Sequence, residues 1–491
     1  MGPFHRLTVV ASALLQLSSH RCEVSAPQGL ALLRYIVRRR SAKELRSSRK
    51  FRVSLLIPLV LSFSFKSEVV LAKTTNIGPS DAWCDTINRA APGDEIVLGP
   101  GSYTTPCWIT ARGLAGFPIL VRSQSKEPSQ QAVFAYPGST ANVLELRNAA
   151  HLVLRAFYFA PTQEGVDAVR IWKGNDIVIE NNLFQGIGGI SVSANTYDGA
   201  RITIRDNTFR NLKATGLYFG CHNGVDCHAT DLVIERNLID GVTPINQREI
   251  GYGLEIKLNS YGSVKDNTIY RTKGPGIMTY GSNRGDPASV VEGNYIEGSL
   301  TEGGIVVGGG LAIIRNNVLV GNHYGGISVQ NYGSRNLQQN VWIVHNTVCN
   351  NKDSGINLQG WNAESNNVLA FNAILPSSGT PALRPAAPPG VVVGNVNCSL
   401  SSPCFGNTTL PPYDLWPVST GPLIDAAGIG TQPWRPLDDF MGTLRNGAAD
   451  VGAFERASLS VDHRIGGGNP RPPRISVDHT PPLASTGLQL Q

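Results

Sequence analysis

Seven stretches fit one template: IVIENNLF (177–184), ITIRDNTF (202–209), LVIERNLI (232–239), GSVKDNTI (262–269), SVVEGNYI (289–296), AIIRNNVL (312–319) and VWIVHNTV (341–348). The template runs apolar, x, apolar, x, x, Asn, x, apolar. It aligns Asn182, Asn207, Asn237, Asn267, Asn294, Asn317 and Asn346, and a weaker copy ends at Asn372. A period of this size marks a solenoid. Each copy leads to a second short run, such as GISV (189–192), GLEI (253–256), GIMT (276–279) and GIVV (304–307). Alternation of period two, β-branched residues and corner glycines make both runs strands. Two or three short strands per turn with no helix between them describe a parallel β-helix. At a shared corner the asparagine amides can stack into a ladder and satisfy turn backbone groups. The LxxLxL signature of leucine-rich repeats is absent, and propeller blades need a longer period.

Composition agrees. With 53 Gly, 31 Pro and 16 % charged residues, the 491-residue chain is rich in turn formers and poor in helix formers. The formal net charge of +6 belongs to the first 72 residues, which hold twelve basic and three acidic side chains. The remainder is net acidic, so no nucleic-acid partner is expected. RSSRKFR followed by the apolar run Val53–Phe65, with Ala72 at the cleavage position, reads as an export signal too short to span a membrane. Residues 1–50 are foreign to such a signal and read as an over-extended start. The expected organisation is leader 1–72, parallel β-helix 73–375, loop and closing coils 376–455, and a disordered tail 456–491. Export predicts disulfides. Cys84 and Cys107 flank one unit, Cys221 and Cys227 close CHNGVDC, and Cys398 and Cys404 close CSLSSPC. Cys22 falls in the leader and Cys349 on a repeat strand, where a buried free thiol is expected.

Once the repeat is subtracted, the outward positions remain. Coils stack about 4.8 Å apart, so equivalent positions form columns. One column reads Ser191, Tyr218, Glu255, Met278, Val306, Ser328, Asn357; its neighbour reads Ser193, Gly220, Lys257, Tyr280, Gly308, Gln330, Gln359. Charge gathers at Glu255 and Lys257, with Tyr280 one coil later. Long loops surround them, and Lys265, Arg271, Lys273 and Arg284 follow. A locally positive groove on an acidic body suits an anionic polymer such as a uronate polysaccharide. Abstraction of the proton α to a uronate carboxylate needs a base, a cation for the enolate and, in an elimination, an acid for the leaving oxygen. Lys257 is the candidate base and Tyr280 the candidate acid. Arg271, Lys273, Arg284, Tyr218, His323 and Gln330 are the candidate substrate contacts. Glu255 is the candidate ligand should Ca²⁺ take part, or else it orients Lys257. No other cofactor is expected.

DAWCDTINRAAPGDEIVLGPGSY (81–103) reads as a short helix, a Pro-Gly turn and a first strand, and GPLIDAAG…DDFMGTLRNGAADVGAFE (421–455) as a closing motif. With the repeats, these resemble the exported right-handed parallel β-helix (pectin-lyase-like) proteins across residues 76–455. The resemblance implies an all-β fold with a short N-terminal capping helix. The central stretch also resembles the alginate lyase and chondroitinase B family. There a lysine about ten residues before the ladder asparagine is the base, and Lys257 stands ten before Asn267. That family carries an arginine ahead of a His-Gly pair on the next coil; this chain has Thr279 and Tyr280 in those places. Arg284 or Arg271 would then supply the cation. The resemblance implies a polysaccharide lyase or C5-epimerase, secreted or in the cell envelope, monomeric, acting on an acidic polysaccharide and free of the membrane once the signal is removed. The alternative is a non-catalytic carbohydrate-binding or cell-surface solenoid.

Overall fold

The structure, a computed structural model, describes residues 72–362, 366–399, 401, 403–428, 434–445, 447–456 and 464–474. The run Val53–Phe65, expected as an export signal, residues 1–50 and Cys22 lie outside the described residues. Every strand pairing along the solenoid is parallel, and coil follows coil in sequence order. Three faces result. One runs through Leu217–Phe219, Leu254–Ile256, Ile277–Thr279 and Ile305–Val307. The second runs through Leu232–Glu235, Gly262–Lys265 and Ser289–Glu292. On early coils the twelve-residue strands Leu144–Arg155 and Val169–Glu180 span both. The third face is a 12-stranded sheet of its own.

The corner between the second and third faces explains the template. The residue before each ladder asparagine bends the chain with a left-handed φ: 57° at Asp206, 53° at Arg236, 57° at Asp266 and 67° at Gly293. One left-handed residue turns a strand sharply at little length. The turn leaves backbone groups that the buried asparagine pairs: Asn267 donates Nδ2 to Asn294 Oδ1 at 3.0 Å and to Ile234 O at 2.9 Å, and its backbone N–H also reaches Asn294 Oδ1. The ladder runs unbroken from Asn182 past Asn372 to Asn395. A second, shorter ladder joins Asn322 to Asn351 at another corner. Inside, Phe134, Phe159, Phe184 and Phe209 stack at centroid spacings of 5.1, 4.5 and 4.7 Å.

The helix Trp83–Asn88 closes the N-terminal end, with Trp83 and Ile87 buried. Disulfides join Cys84–Cys107, Cys221–Cys227 and Cys398–Cys404. Cys349 is a buried free thiol, pushed up to about 12 by burial.

The C-terminal part departs from expectation. Residues 376–397 add strands at Leu383–Arg384, Val391–Val393 and Val396–Asn397 in register with the coils, so this stretch is not one long loop. The chain then turns back over the third sheet. Leu415, Phe440, Phe454 and Ile465 pack on outward residues of that sheet, among them Tyr270, Tyr295, Val318 and Cys349. Outward apolar residues there need a cover, and this segment supplies it. Residues 464–474, expected within a disordered tail, are ordered. Asn469 O accepts from Tyr270 Oη at 2.7 Å, Arg471 bonds Asp266 and the Gly293 carbonyl, and Arg474 reaches Asp266 and Asp438. Beyond Ile465, charge pairing holds this polar segment where it has little core to offer.

Candidate functional site

On the strand Leu254–Ile256 the flanking leucine and isoleucine fill the solenoid core, so Glu255 points outward. Register places it between Tyr218 and Met278 of the adjoining coils. Lys257 follows the strand; its backbone N–H donates to Phe219 O, and that of Tyr280 donates to Ile256 O. Lys257 and Tyr280 therefore lie side by side, as the column predicts. The first members of both columns shift: Ser193, not Ser191, pairs with Tyr218, and Asn195 rather than Ser193 leads to Gly220.

Three polar ends meet here. Lys257 Nζ is 2.6 Å from Glu255 Oε2 and donates to Tyr280 Oη at 3.0 Å. Tyr280 Oη donates to Glu255 Oε2 at 3.3 Å and lies 3.3 Å from Tyr252 Oη. The ammonium also lies 4.2, 4.8 and 5.8 Å from the ring centroids of Tyr280, Tyr218 and Tyr252. Aromatic faces attract a desolvated cation. Tyr332 meets the Tyr280 ring edge-on at 4.6 Å.

The expectation of a solvent-facing column is corrected. The Lys257 and Glu255 side chains are only 4 % and 3 % exposed. The following coils place Met278 and Val306 outward, and these pack with Leu258, Leu337 and Tyr332 into an apolar roof. The loop closed by Cys221–Cys227 adds to it, its Gly224 carbonyl accepting from Asn259 Nδ2 at 3.0 Å. Tyr218 and Tyr332 stay half-buried and form the outer wall.

Burial sets the electrostatics. It raises the Glu255 carboxyl, against the pull of Lys257 and Tyr280. Burial, then the Glu255 charge, raises the phenols of Tyr280, Tyr252 and Tyr218. Tyr280 is thus held as a proton donor. Glu255 and Lys257 face each other in a site with little water, and both are hydrogen-bonded to the Tyr280 phenol.

The other sequence-derived residues lie apart from the triangle. Arg271 sits on the third sheet, paired with Asp240. Lys273 donates to the carbonyls of Gln247 and Glu249 at 2.6 and 2.8 Å. Arg284 contacts the His228 ring at 2.9 Å and Asp286 at 3.8 Å. His323 is exposed at a turn, and Gln330 donates to Glu302 at 3.4 Å. Thr279, at the place of the family arginine, is buried, and its hydroxyl has no hydrogen-bond partner among the described residues. The donor set does not suit Ca²⁺: Glu255 is met by an ammonium and a phenol, and among the described residues no group of three His, Cys, Asp or Glu could hold a metal. Tyr252 and Tyr332 belong to the site although neither is in a column. Both lie in loops that flank the strands, and their aromatic character was the only signal in the sequence.

Residues 167–374 match the family model described as "Right handed beta helix region". No curated protein sequence matches the chain. Among solved structures, an alginate lyase from Paenibacillus sp. str. FPU-7 is 17 % identical at a TM-score of 0.38, over 65 % of this chain and 97 % of its own. The A-module of the Azotobacter vinelandii mannuronan C-5 epimerase AlgE4 is 12 % identical at 0.40, over 63 % and 88 %. XylC, in its complex with xylose, is 8 % identical at 0.50, over 78 % and 98 %. Polysaccharide lyases and alginate epimerases recur among these neighbours. The protein is a right-handed parallel β-helix of about 12 turns.

Proposed function

We propose that this is an exported carbohydrate-active protein that acts on an anionic uronate polymer, as a polysaccharide lyase or a C5-epimerase. The observation that carries the reading is the triangle of Lys257, Tyr280 and Glu255, with Lys257 Nζ 3.0 Å from the Tyr280 phenol and 2.6 Å from the carboxylate. In its uncharged form Lys257 is the base that takes the proton α to a uronate carboxylate, and Glu255 beside it holds the amine in place. Tyr280, kept protonated, then gives its proton to the leaving oxygen on the same face in an elimination; an epimerisation requires the pair to part so that Tyr280 reaches the opposite face of the carbanion. The half-buried Tyr218 and Tyr332 face the approaching polymer, and Tyr332 must move for the sugar to reach Nζ. Three disulfides support export to an oxidising compartment.

One observation favours a second reading, a carbohydrate-binding solenoid without turnover. The triangle is buried, and neither Arg271 nor Arg284 joins it as the cation that an enolate needs. A substrate screen separates the two. The protein is incubated with polymannuronate, polyguluronate, polygalacturonate and chondroitin. Unsaturated uronate is followed by ultraviolet absorbance, and epimer ratios by proton NMR. Product from at least one polymer supports the catalytic reading; binding without either product overturns it in favour of the second.

A further inference from the structure

The sheet face that holds Glu255 continues toward the N-terminus through the register Trp108, Glu145, Arg170, Ser193, Tyr218, Glu255. Its first coils carry a ledge of aromatic rings and arginines that the triangle does not use. Trp108 is 54 % exposed, and the Arg147 guanidinium lies 3.7 Å from its ring centroid and 5.0 Å from that of Trp172. Arg147 is held there by the buried Glu145, whose Oε2 accepts from Nε and Nη2 at 2.9 and 2.6 Å. Asn142 fixes the other carboxylate oxygen at 2.9 Å. Arg170 lies 5.5 Å from the Trp172 ring and holds Thr196 at 3.1 Å, while its Nε and the Trp172 Nε1 have no acceptor among the described residues. Tyr197, half exposed, extends the platform at 5.8 Å from Trp172.

Each feature has a bland explanation alone, since exposed tryptophans occur singly and arginines often rest on rings. Together they do not. A buried carboxylate, itself fixed by the half-buried Asn142, holds one guanidinium against an open indole, which is a fixed surface rather than a mobile side chain. Two donors lack acceptors where unpaired buried donors call for an explanation. A pyranose ring stacks on an indole face, and its carboxylate or hydroxyls pair with the exposed N–H groups of the arginines. Strands repeat at about 4.8 Å, close to the length of one sugar unit, so a polymer laid along the axis meets one coil per residue. Trp108 is five strands from Glu255, roughly 24 Å on the same spacing.

We propose that Trp108, Arg147, Arg170, Trp172 and Tyr197 form a binding subsite for an acidic sugar unit. It grips the polymer several residues away from the Lys257 triangle. The substrate class rests on the function proposed above; the site itself does not need turnover.

The test uses the full chain carrying Tyr280→Phe, so that a bound oligosaccharide is not consumed. Titration calorimetry is run with hexamers of mannuronate, guluronate and galacturonate, and with xylohexaose as the neutral control. At least one acidic hexamer is expected to bind. Adding Trp108→Ala, at an exposed position that leaves the core intact, is expected to weaken that binding about tenfold or more. Arg147→Lys, which keeps the charge but loses the planar contact with Trp108, is expected to weaken it less. The subsite is overturned if no acidic hexamer binds, if the neutral hexamer binds equally well, or if Trp108→Ala binds as its parent does. Binding that depends on Trp108 in a protein that turns over no polyuronate leaves the subsite standing and removes only the catalytic reading. Turnover with Trp108→Ala unaffected in binding does the reverse.

Discussion

Lys257 and Tyr280 come from successive coils, 23 residues apart in sequence, yet Lys257 Nζ donates to Tyr280 Oη at 3.0 Å under an apolar roof. With Glu255 they place one positive and one negative charge where little water reaches. Removing either partner strands the other. Lys257→Ala is expected to cost roughly 3–5 kcal/mol in denaturant unfolding, and Glu255→Leu with Lys257→Met to recover most of it. Equal stability of wild type and Lys257→Ala would show that the pair is solvated.

The asparagine ladder makes a second prediction. Asn294 is fully buried; its Oδ1 accepts from both the backbone N–H and the Nδ2 of Asn267, and its own Nδ2 donates to Asn317. Asn294→Ala leaves those groups unpaired, at about 1–3 kcal/mol for each. A drop of at least about 2 kcal/mol in unfolding free energy is expected. Asn181→Ala, one residue outside the ladder, should cost less, and equal losses would contradict the ladder's role.

Acid sensitivity is expected from Glu292. Burial alone would raise its carboxyl, but Arg315, Lys265 and Arg474 outweigh burial and pull it down to about 2 from an ordinary 4.5. Lys265 Nζ lies at 3.0 Å and Arg315 at 3.1 Å from Oε2. The folded protein therefore releases this proton more readily than the unfolded chain does. The stabilisation is complete above about pH 4.5 and is lost as pH falls toward about 2, a swing of roughly 3 kcal/mol. Melting temperature measured across that window should fall steeply in the wild type and less steeply in Glu292→Gln. Parallel curves would sink the assignment.

Tyr332 is the movable part of the roof in the proposed mechanism, since it is half-buried and stands on the short turn Tyr332–Ser334. Tyr332→Ala is expected to increase acylation of Lys257 by an amine-reactive reagent, read by peptide mass spectrometry. Unchanged labelling would mean that other residues shield the amine.

The fold was legible because its determinant repeats. One asparagine at one corner, seven times over, needs no long-range information, and IVIENNLF or LVIERNLI carries both the strand period and the turn. The pairing of Lys257 with Tyr280 was legible for the same reason, because equal positions on successive coils must stack. What covers them was not. Over the column residues Met278 and Val306 the roof is closed by Leu258, Leu337 and Tyr332, residues of irregular loops whose path no period dictates. The C-terminal strap was missed likewise: GGGNPRPPR reads as disordered by composition, and only the folded third sheet shows that Asp266 and the Gly293 carbonyl await its arginine. Arg271 and Lys273 looked like groove residues because counting charges along the sequence ignores which of three faces each one occupies.

The central claim is that the Lys257–Tyr280 pair performs proton transfer on a uronate. The most direct measurement is the initial rate of product formation, unsaturated or epimerised, from the best polyuronate found, for wild type and Tyr280→Phe compared at equal folded concentration. Tyr280→Phe keeps the ring and its packing and loses only the transferable proton. The account predicts turnover by the wild type and a loss of about a hundredfold or more in the variant. Turnover by Tyr280→Phe at the wild-type rate would contradict it.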